Sequence, residues 1–224
     1  MSILTQSGRA AIAASIKEQP LHLAWGSGDA NWESSHRVEK TFTNGEIMLD
    51  HSPVKNVKVF TGETIYQPSV DYLVDSNTGM IKCLENSPIA ASSIVTVEYT
   101  QSTPPELITS TKLLKEVGRR VVDEVLFCTG DENGELITPS GRFKPSNVPT
   151  NNLYLKFTFD FTDAANQVIR ELGVMVGTKV KEAGKRYFEP QDIENFGILL
   201  ILEHTVPLIR TAATRETFSF VVTF

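Results

Sequence analysis

Four histidines (His22, His36, His51 and His204) and two cysteines (Cys83 and Cys128) are the side chains of this 224-residue chain best suited to metal ligation or nucleophilic chemistry. The histidines are scattered, with no HxH or HExxH spacing to bring two imidazoles to one ion. The cysteines form no CxxC pair, so neither a zinc site nor a disulfide framework is expected. A triad around Cys128 is compatible with the sequence, because triad members assemble in space. Both cysteines nevertheless sit in strand-like apolar runs, where a buried small side chain is the simpler reading. No serine occupies a GxSxG elbow.

Three loops invite comparison with ligand sites and fall short. Gly26-Ser27-Gly28 opens like a dinucleotide loop, but Asn31 stands where the third glycine is required. In GTKVKEAGKR, six residues separate Gly177 from Gly184 where a phosphate loop has four, and Arg186 replaces the magnesium-binding hydroxyl. A calcium loop counted from Asp131 reaches Arg142 at its twelfth position, where a bidentate glutamate belongs. Asp131-Glu132-Asn133-Gly134 reads instead as a hairpin turn. Arg170 and Glu171 are adjacent in a strand-like run and would point to opposite faces, which suits an interface or structural pair better than a catalytic one. The expectation is no catalytic residue, no cofactor and no metal.

The elements that hold these residues read mainly as β. Leu4, Gly8, Ile12 and Ile16 recur every four residues with alanines between them, predicting a helix that Pro20 stops. LHLAW (21–25) alternates like a half-buried strand. Between 45 and 101, short strand-like runs separated by Pro53, Gly62, Asn77-Thr78-Gly79 and Asn86-Ser87-Pro88 predict a small inserted β-sandwich or barrel. Thr103-Pro104-Pro105 looks like the hinge leaving it. Thr109 to Val117 then suggests a second short helix, capped by hydroxyls, with Glu116 and Arg120 as an i,i+4 pair. LYLKFTFDF (153–161) alternates over its full length, the signature of a half-buried antiparallel strand. DAANQV suggests a short helical link. The last run, RETFSFVVTF (215–224), puts Phe218, Phe220, Val222 and Phe224 on one face. That strand either belongs to a sheet of its own chain or docks on another subunit. The expected fold is mainly β (α+β), with a discontinuous main domain (1–44 and 102–224) and an inserted domain (45–101).

Composition narrows the function classes. The chain is 41% hydrophobic and 21% charged, enough to bury a core without staples. A net charge of −6 gives no electrostatic footprint for nucleic acid. The longest apolar run, FGILLIL (196–202), is far short of the ~20 residues a membrane helix needs.

LHLAWGSGDANW (21–32), LYLKFTFDFTDAANQVIRELGVMVG (153–177), RYFEP (186–190) and FGILLILEHTVPLIRTAATRETFSFVVTF (196–224) together resemble a tail structural protein family of contractile-tailed bacteriophages and their prophages. The resemblance covers 6–35 and 107–224. Its IRE-G strand, carried by Arg170, Glu171 and Gly173, is also similar to tail-collar fibre proteins. The DYxVDxxTGxI pattern of the insert resembles β-rich phage virion domains. The resemblance implies a non-enzymatic virion component made in the host bacterial cytoplasm. It points first to a neck or collar component, a homo-oligomer in a hexameric ring that links tail tube and sheath to the head–tail connector. A baseplate or fibre-attachment protein is the alternative it implies. A carbohydrate-binding module, with Trp25, Trp32, Tyr66, Tyr72 and Tyr99 as its platform, is a further reading from the residues. In the tail reading, Phe218, Phe220, Val222, Phe224, Arg170 and Glu171 are the expected interface residues.

Overall fold

The structure is a computed structural model and describes residues 2–224. It opens with α1 (Gln6–Lys17). The Thr5 hydroxyl accepts from Gly8 N at 3.2 Å and so caps the first turn. Ala13 is fully buried, and Ala14 and Ile16 pack on the same core. β1 (Leu21–Gly26) follows. It is buried along its whole length, unlike the half-exposed strand its alternation predicts. Both faces are covered: Leu21, Leu23 and Trp25 enter the main core, Ala24 packs with Leu113 and Met175, and His22 meets Phe188.

The chain folds as two compact units, a smaller one, Ala30–Pro105, and a larger one, Met1–Asp29 with Glu106–Phe224. The smaller unit contains β2 (Ser35–Thr41), β3 (Glu46–Met48), β4 (Val54–Thr61), β5 (Thr64–Ile65), β6 (Tyr72–Asp75), β7 (Met80–Cys83) and β8 (Ile94–Gln101). They form two sheets, β2-β8-β4-β5 and β3-β7-β6, around Phe42, Ile47, Val59, Tyr72, Ile81 and Val97. β2 lies on the N-terminal side of residue 45, yet it pairs with β8 from Ser35↔Thr100 to Thr41↔Ile94. The hairpin of β6 and β7 turns where Asp75 Oδ1 accepts from Asn77 N at 3.0 Å.

The larger unit continues with β9 (Glu116–Val121), β10 (Glu124–Gly130), β11 (Leu136–Thr138), β12 (Gly141–Ser146), β13 (Asn152–Phe159) and β14 (Val168–Val176). Short β15 (Lys179–Val180), β16 (Tyr187–Phe188) and β17 (Ile193–Asn195) lead to β18 (Ile198–Ile209) and β19 (Glu216–Thr223). Two five-stranded antiparallel sheets result: β16-β9-β1-β14-β18, hereafter sheet 1, and β11-β12-β10-β13-β19, sheet 2. Their inner faces share one core, to which β13 gives Leu153, Leu155, Phe157 and Phe159, all fully buried. The expected alternation is thus realised from 153 to 159, whereas Phe161 falls beyond the strand and is 43% exposed.

The second helix and the helical link do not form. Thr109–Lys115 runs as irregular chain that buries Leu113, and Glu116–Val121 is strand. Gly118 explains the preference: the Tyr187 ring crosses its α-carbon so closely that a Cβ there would overlap the phenol. The ion pair of this stretch is therefore Glu116 with Arg119, and Arg120 turns to Asp163. At 163–166, Ala164 and Asn166 take positive φ (49° and 63°), which breaks a helix into turns.

Gly197, at the turn from β17 into β18, has φ of 76°, and a Cβ there would overlap the Val176 carbonyl oxygen. Gly197→Ala is expected to cost about 2–3 kcal/mol, from left-handed strain plus displaced backbone. Urea unfolding followed by Trp25 fluorescence in a Trp32→Phe background checks it; an unchanged midpoint would show that the turn relaxes freely.

Candidate functional site

The residue types suited to chemistry do not converge. In the smaller unit His36 and His51 stack with ring centroids 4.1 Å apart, and His51 Nδ1 lies 2.7 Å from the Tyr99 hydroxyl. Among the described residues, no group of three or more His, Cys, Asp or Glu could hold a metal ion. Burial pushes the Cys128 thiol up, away from the thiolate that a nucleophile needs. The glycine turn at 26–28 is closed by Ser27 N donating to Lys115 O at 2.8 Å. The acidic loop is a turn in which Asp131 Oδ1 accepts from Asn133 N at 2.9 Å. The aromatic platform is corrected: Trp25, Trp32, Tyr72 and Tyr99 are buried in the two cores, so a flat sugar-binding surface cannot be built from them.

Arg170 and Glu171 are both engaged within the larger unit. The ladder between β14 and β18 shifts register between Ile169 and Glu171, and this bulge frees the Arg170 guanidinium to donate to Ser27 O at 3.2 Å. Glu171, 2% exposed, accepts from Leu114 N at 3.0 Å and Lys115 N at 3.3 Å. Its other neighbour is the His204 ring, with Nε2 at 3.7 Å, and His204 N donates to Glu106 at 2.8 Å. Glu171 thus fastens the irregular segment to the back of sheet 1.

What remains open is a flank. β19 pairs with β13 in unbroken register, from Asn152↔Thr223 to Phe159↔Glu216; among the described residues no strand is hydrogen-bonded to its other side, but β11 curls round to lie beside it, so that sheet 2 nearly closes on itself like a barrel. Phe218, Phe220, Val222 and Phe224 turn toward the core and are half-buried. Phe218 meets Trp25 edge-on with centroids 5.6 Å apart, and Phe220 meets Phe157 at 6.3 Å. β18 ends sheet 1. Between these two edges lies a groove of about 500 Å³, walled by Leu172, Ile201 and Glu203 from sheet 1 and by Phe218, Ser219 and Phe220 from sheet 2. Ile137 and Pro139, in and just beyond β11, close its rim.

Sequence reasoning singled out the aromatic face of β19 but missed the other wall. The sequence places ILLILEH only as one more strand of an antiparallel set, whereas in β18 Ile198, Val206 and Ile209 are 73%, 82% and 71% exposed. Pro207 is the signal that could have shown it, since proline within a sheet belongs at an edge.

Among the described residues no helix is long and apolar enough to cross a membrane. A family model described as "Baseplate wedge 3 tail fiber network component" matches residues 1–50 and 95–224. No curated protein matches the chain.

Proposed function

Because the chain belongs to the baseplate wedge 3 tail fiber network component family, we propose that it is a non-enzymatic joint of a phage baseplate wedge that holds its neighbours along the open flank of its larger unit. Membership implies a place in the virion and contact with other phage structural proteins. The observation that carries the reading is β18, a twelve-residue edge strand with Ile198, Val206 and Ile209 facing solvent. A long apolar edge is an aggregation template unless another chain covers it, and an assembly is where such cover is found. β19, with its half-buried phenylalanines, lies on the same flank.

A neck or collar ring of six copies between tube, sheath and head connector is the placement that the sequence resemblance ranks first. The baseplate is preferred here because the matched family is described as a wedge and fiber network component. Cross-linking mass spectrometry on purified particles, following Lys144, Lys179, Lys181 and Lys185, separates the two. Links to wedge and fibre proteins are expected. Links confined to sheath, tube and head-connector proteins would move the chain to the neck. Its absence from particles would overturn the structural reading altogether.

A further inference from the structure

The outer face of sheet 1 carries a second, smaller apolar layer, and we infer that a cleft in it is an anchor pocket for a tryptophan side chain of another baseplate chain, with an aspartate or glutamate of that chain meeting Lys112 at the rim. This goes beyond the open flank and rests on the proposed function only for the source of the tryptophan.

The layer follows from strand alternation. Leu21, Leu23 and Trp25 of β1 enter the main core, so Ala24 lies on the opposite face with its cross-strand partners Arg119 and Gly173. Met175, two residues on from Gly173, lies there too and packs with Ala24. Two segments cover that face. The irregular chain before β9 lays Leu113 against Ala24 and Met175, and the turn between β17 and β18 sets Phe196 over Arg119. Between them a cleft of about 330 Å³ stays open, with Lys112, Leu113 and Phe196 at its sides and Glu116, Arg119 and Met175 from the sheet itself.

Three features specify the occupant. The first is size. A dry apolar cavity of about 150 Å³ takes a benzene ring. About twice that volume, walled by buried Leu113 and Met175 and by half-exposed Phe196, suits the two fused rings of indole. The wall is already in place, because the Phe196 ring is held 5.0 Å from the Arg119 guanidinium, so little freedom is lost on binding. The second is an acceptor. A buried indole N–H needs a partner. Glu116, whose side chain is 13% exposed, uses each carboxylate oxygen once, on Arg119 at 2.7 Å, and keeps further lone pairs. The third is charge. Glu116 and Arg119 cancel, while Lys112 is exposed and in no ion pair among the described residues, which leaves the cleft one uncompensated positive charge. A carboxylate beside the indole answers it. It must share a face with the tryptophan, two positions away in a strand or three to four in a helix. Tryptophans in such pockets are frequent anchors of protein interfaces. A second copy of this chain cannot supply one, since its two tryptophans, Trp25 and Trp32, are both buried.

The pocket is tested on the full chain, labelled with carbon-13 at its methionine methyls, with three probes: indole-3-propionate, its N-methyl derivative and tryptamine. The spectrum of Met175→Leu assigns the Met175 methyl. Indole-3-propionate at millimolar concentration is expected to move that signal upfield and to saturate, while Met48 and Met80 stay still. It is expected to bind at least about threefold more tightly than either relative, the margin of one exposed charge pair or one hydrogen bond. Lys112→Glu, a change at an exposed side chain, is expected to reverse the order of indole-3-propionate and tryptamine. No saturable shift, equal binding of all three, or an order unchanged by Lys112→Glu would each overturn the pocket.

The partner is tested by carbodiimide coupling on purified particles, which joins a lysine amine directly to a carboxylate it touches. Lys112 is expected to be joined to an aspartate or glutamate that lies two to four residues from a tryptophan in a wedge or fibre protein. Lys112 left uncoupled, coupled only within this chain or to a second copy, or coupled to a foreign carboxylate with no tryptophan at that spacing would overturn the assignment. Failure of the probes beside cross-links from the other lysines to wedge proteins removes only the anchor pocket. Absence of the chain from particles removes the baseplate role and with it the source of the tryptophan, even where the probes bind.

Discussion

Arg119→Met is expected to destabilise the larger unit by about 3–5 kcal/mol, the range for breaking a buried ion pair by removing one partner. The Arg119 side chain is fully buried on sheet 1. Its guanidinium grips the Glu116 carboxylate twice, at 2.7 Å from both Nε and Nη2, and donates through Nη1 to the Thr178 hydroxyl and the Phe196 carbonyl, each at 2.7 Å. It also lies over the Phe196 ring, 5.0 Å from its centroid. Methionine keeps the apolar stem and leaves all of these acceptors without their donor, the Glu116 charge above all. Urea unfolding gives the loss, and the double variant Glu116→Gln/Arg119→Met should recover part of it, because the stranded charge is then gone. A loss below about 1 kcal/mol, or a double variant no better than the single, would show that water reaches Glu116 and that the pair does little for the fold.

Acid should weaken the same unit through one imidazole. His22 is 4% exposed, its ring nitrogens have no hydrogen-bond partner among the described residues, and it packs edge-on against Phe188. Burial, reinforced by the Arg119 charge, pushes its pKa down from 6.5 to about 4. Between those values the unfolded chain binds a proton that the folded chain refuses, so stability falls as pH drops from about 6.5 to about 4 and this contribution levels off below. A lowering from 6.5 to about 4 is worth about 3 kcal/mol. Unfolding free energies at pH 7 and pH 4 for the wild type and for His22→Leu isolate it. The variant is expected to lose about 3 kcal/mol less over that interval, whatever its stability at pH 7. Parallel losses would mean that His22 is protonated in the folded protein.

How much could be read in advance depended on whether a residue's neighbour was close in sequence. The alternation of 153–161 and the Asn77-Thr78-Gly79 turn are local patterns; the first appears in β13 as far as Phe159, and the second in the β6–β7 hairpin. The helix expected around Leu113–Val117 failed because its cap and spacing are local, while what decides the outcome is distant: Tyr187 crossing Gly118, and Glu171 taking the amide hydrogens of Leu114 and Lys115. The burial of β1 on both faces likewise depends on Leu113 and Phe188, remote in the chain. The aromatic wall of the groove was legible from the spacing of Phe218 and Phe220. Its acidic wall was not, since Glu203 looks like any surface glutamate until Leu172 is seen opposite it.

The β2–β8 ladder has a further consequence. Its last rung sets Thr41 against Ile94, so the chain leaves and returns at one point in space, and the family match lapses after residue 50 and resumes at 95, one residue past that rung. The ladder is a stem, and it carries β3 to β7, of which β4 returns to pair with β8. Closing a loop of twice the length costs only about 0.6 kcal/mol more. Whatever occupies the stem must still lay a strand along the other edge of β8, as β4 does from Val54↔Gln101 to Phe60↔Thr96, and shelter Val38, Val95 and Val97 from water. Baseplates that meet different neighbours could diverge there while the rest of the chain stays as it is, which makes the tip of the smaller unit a natural place to graft a tag or a new binding loop.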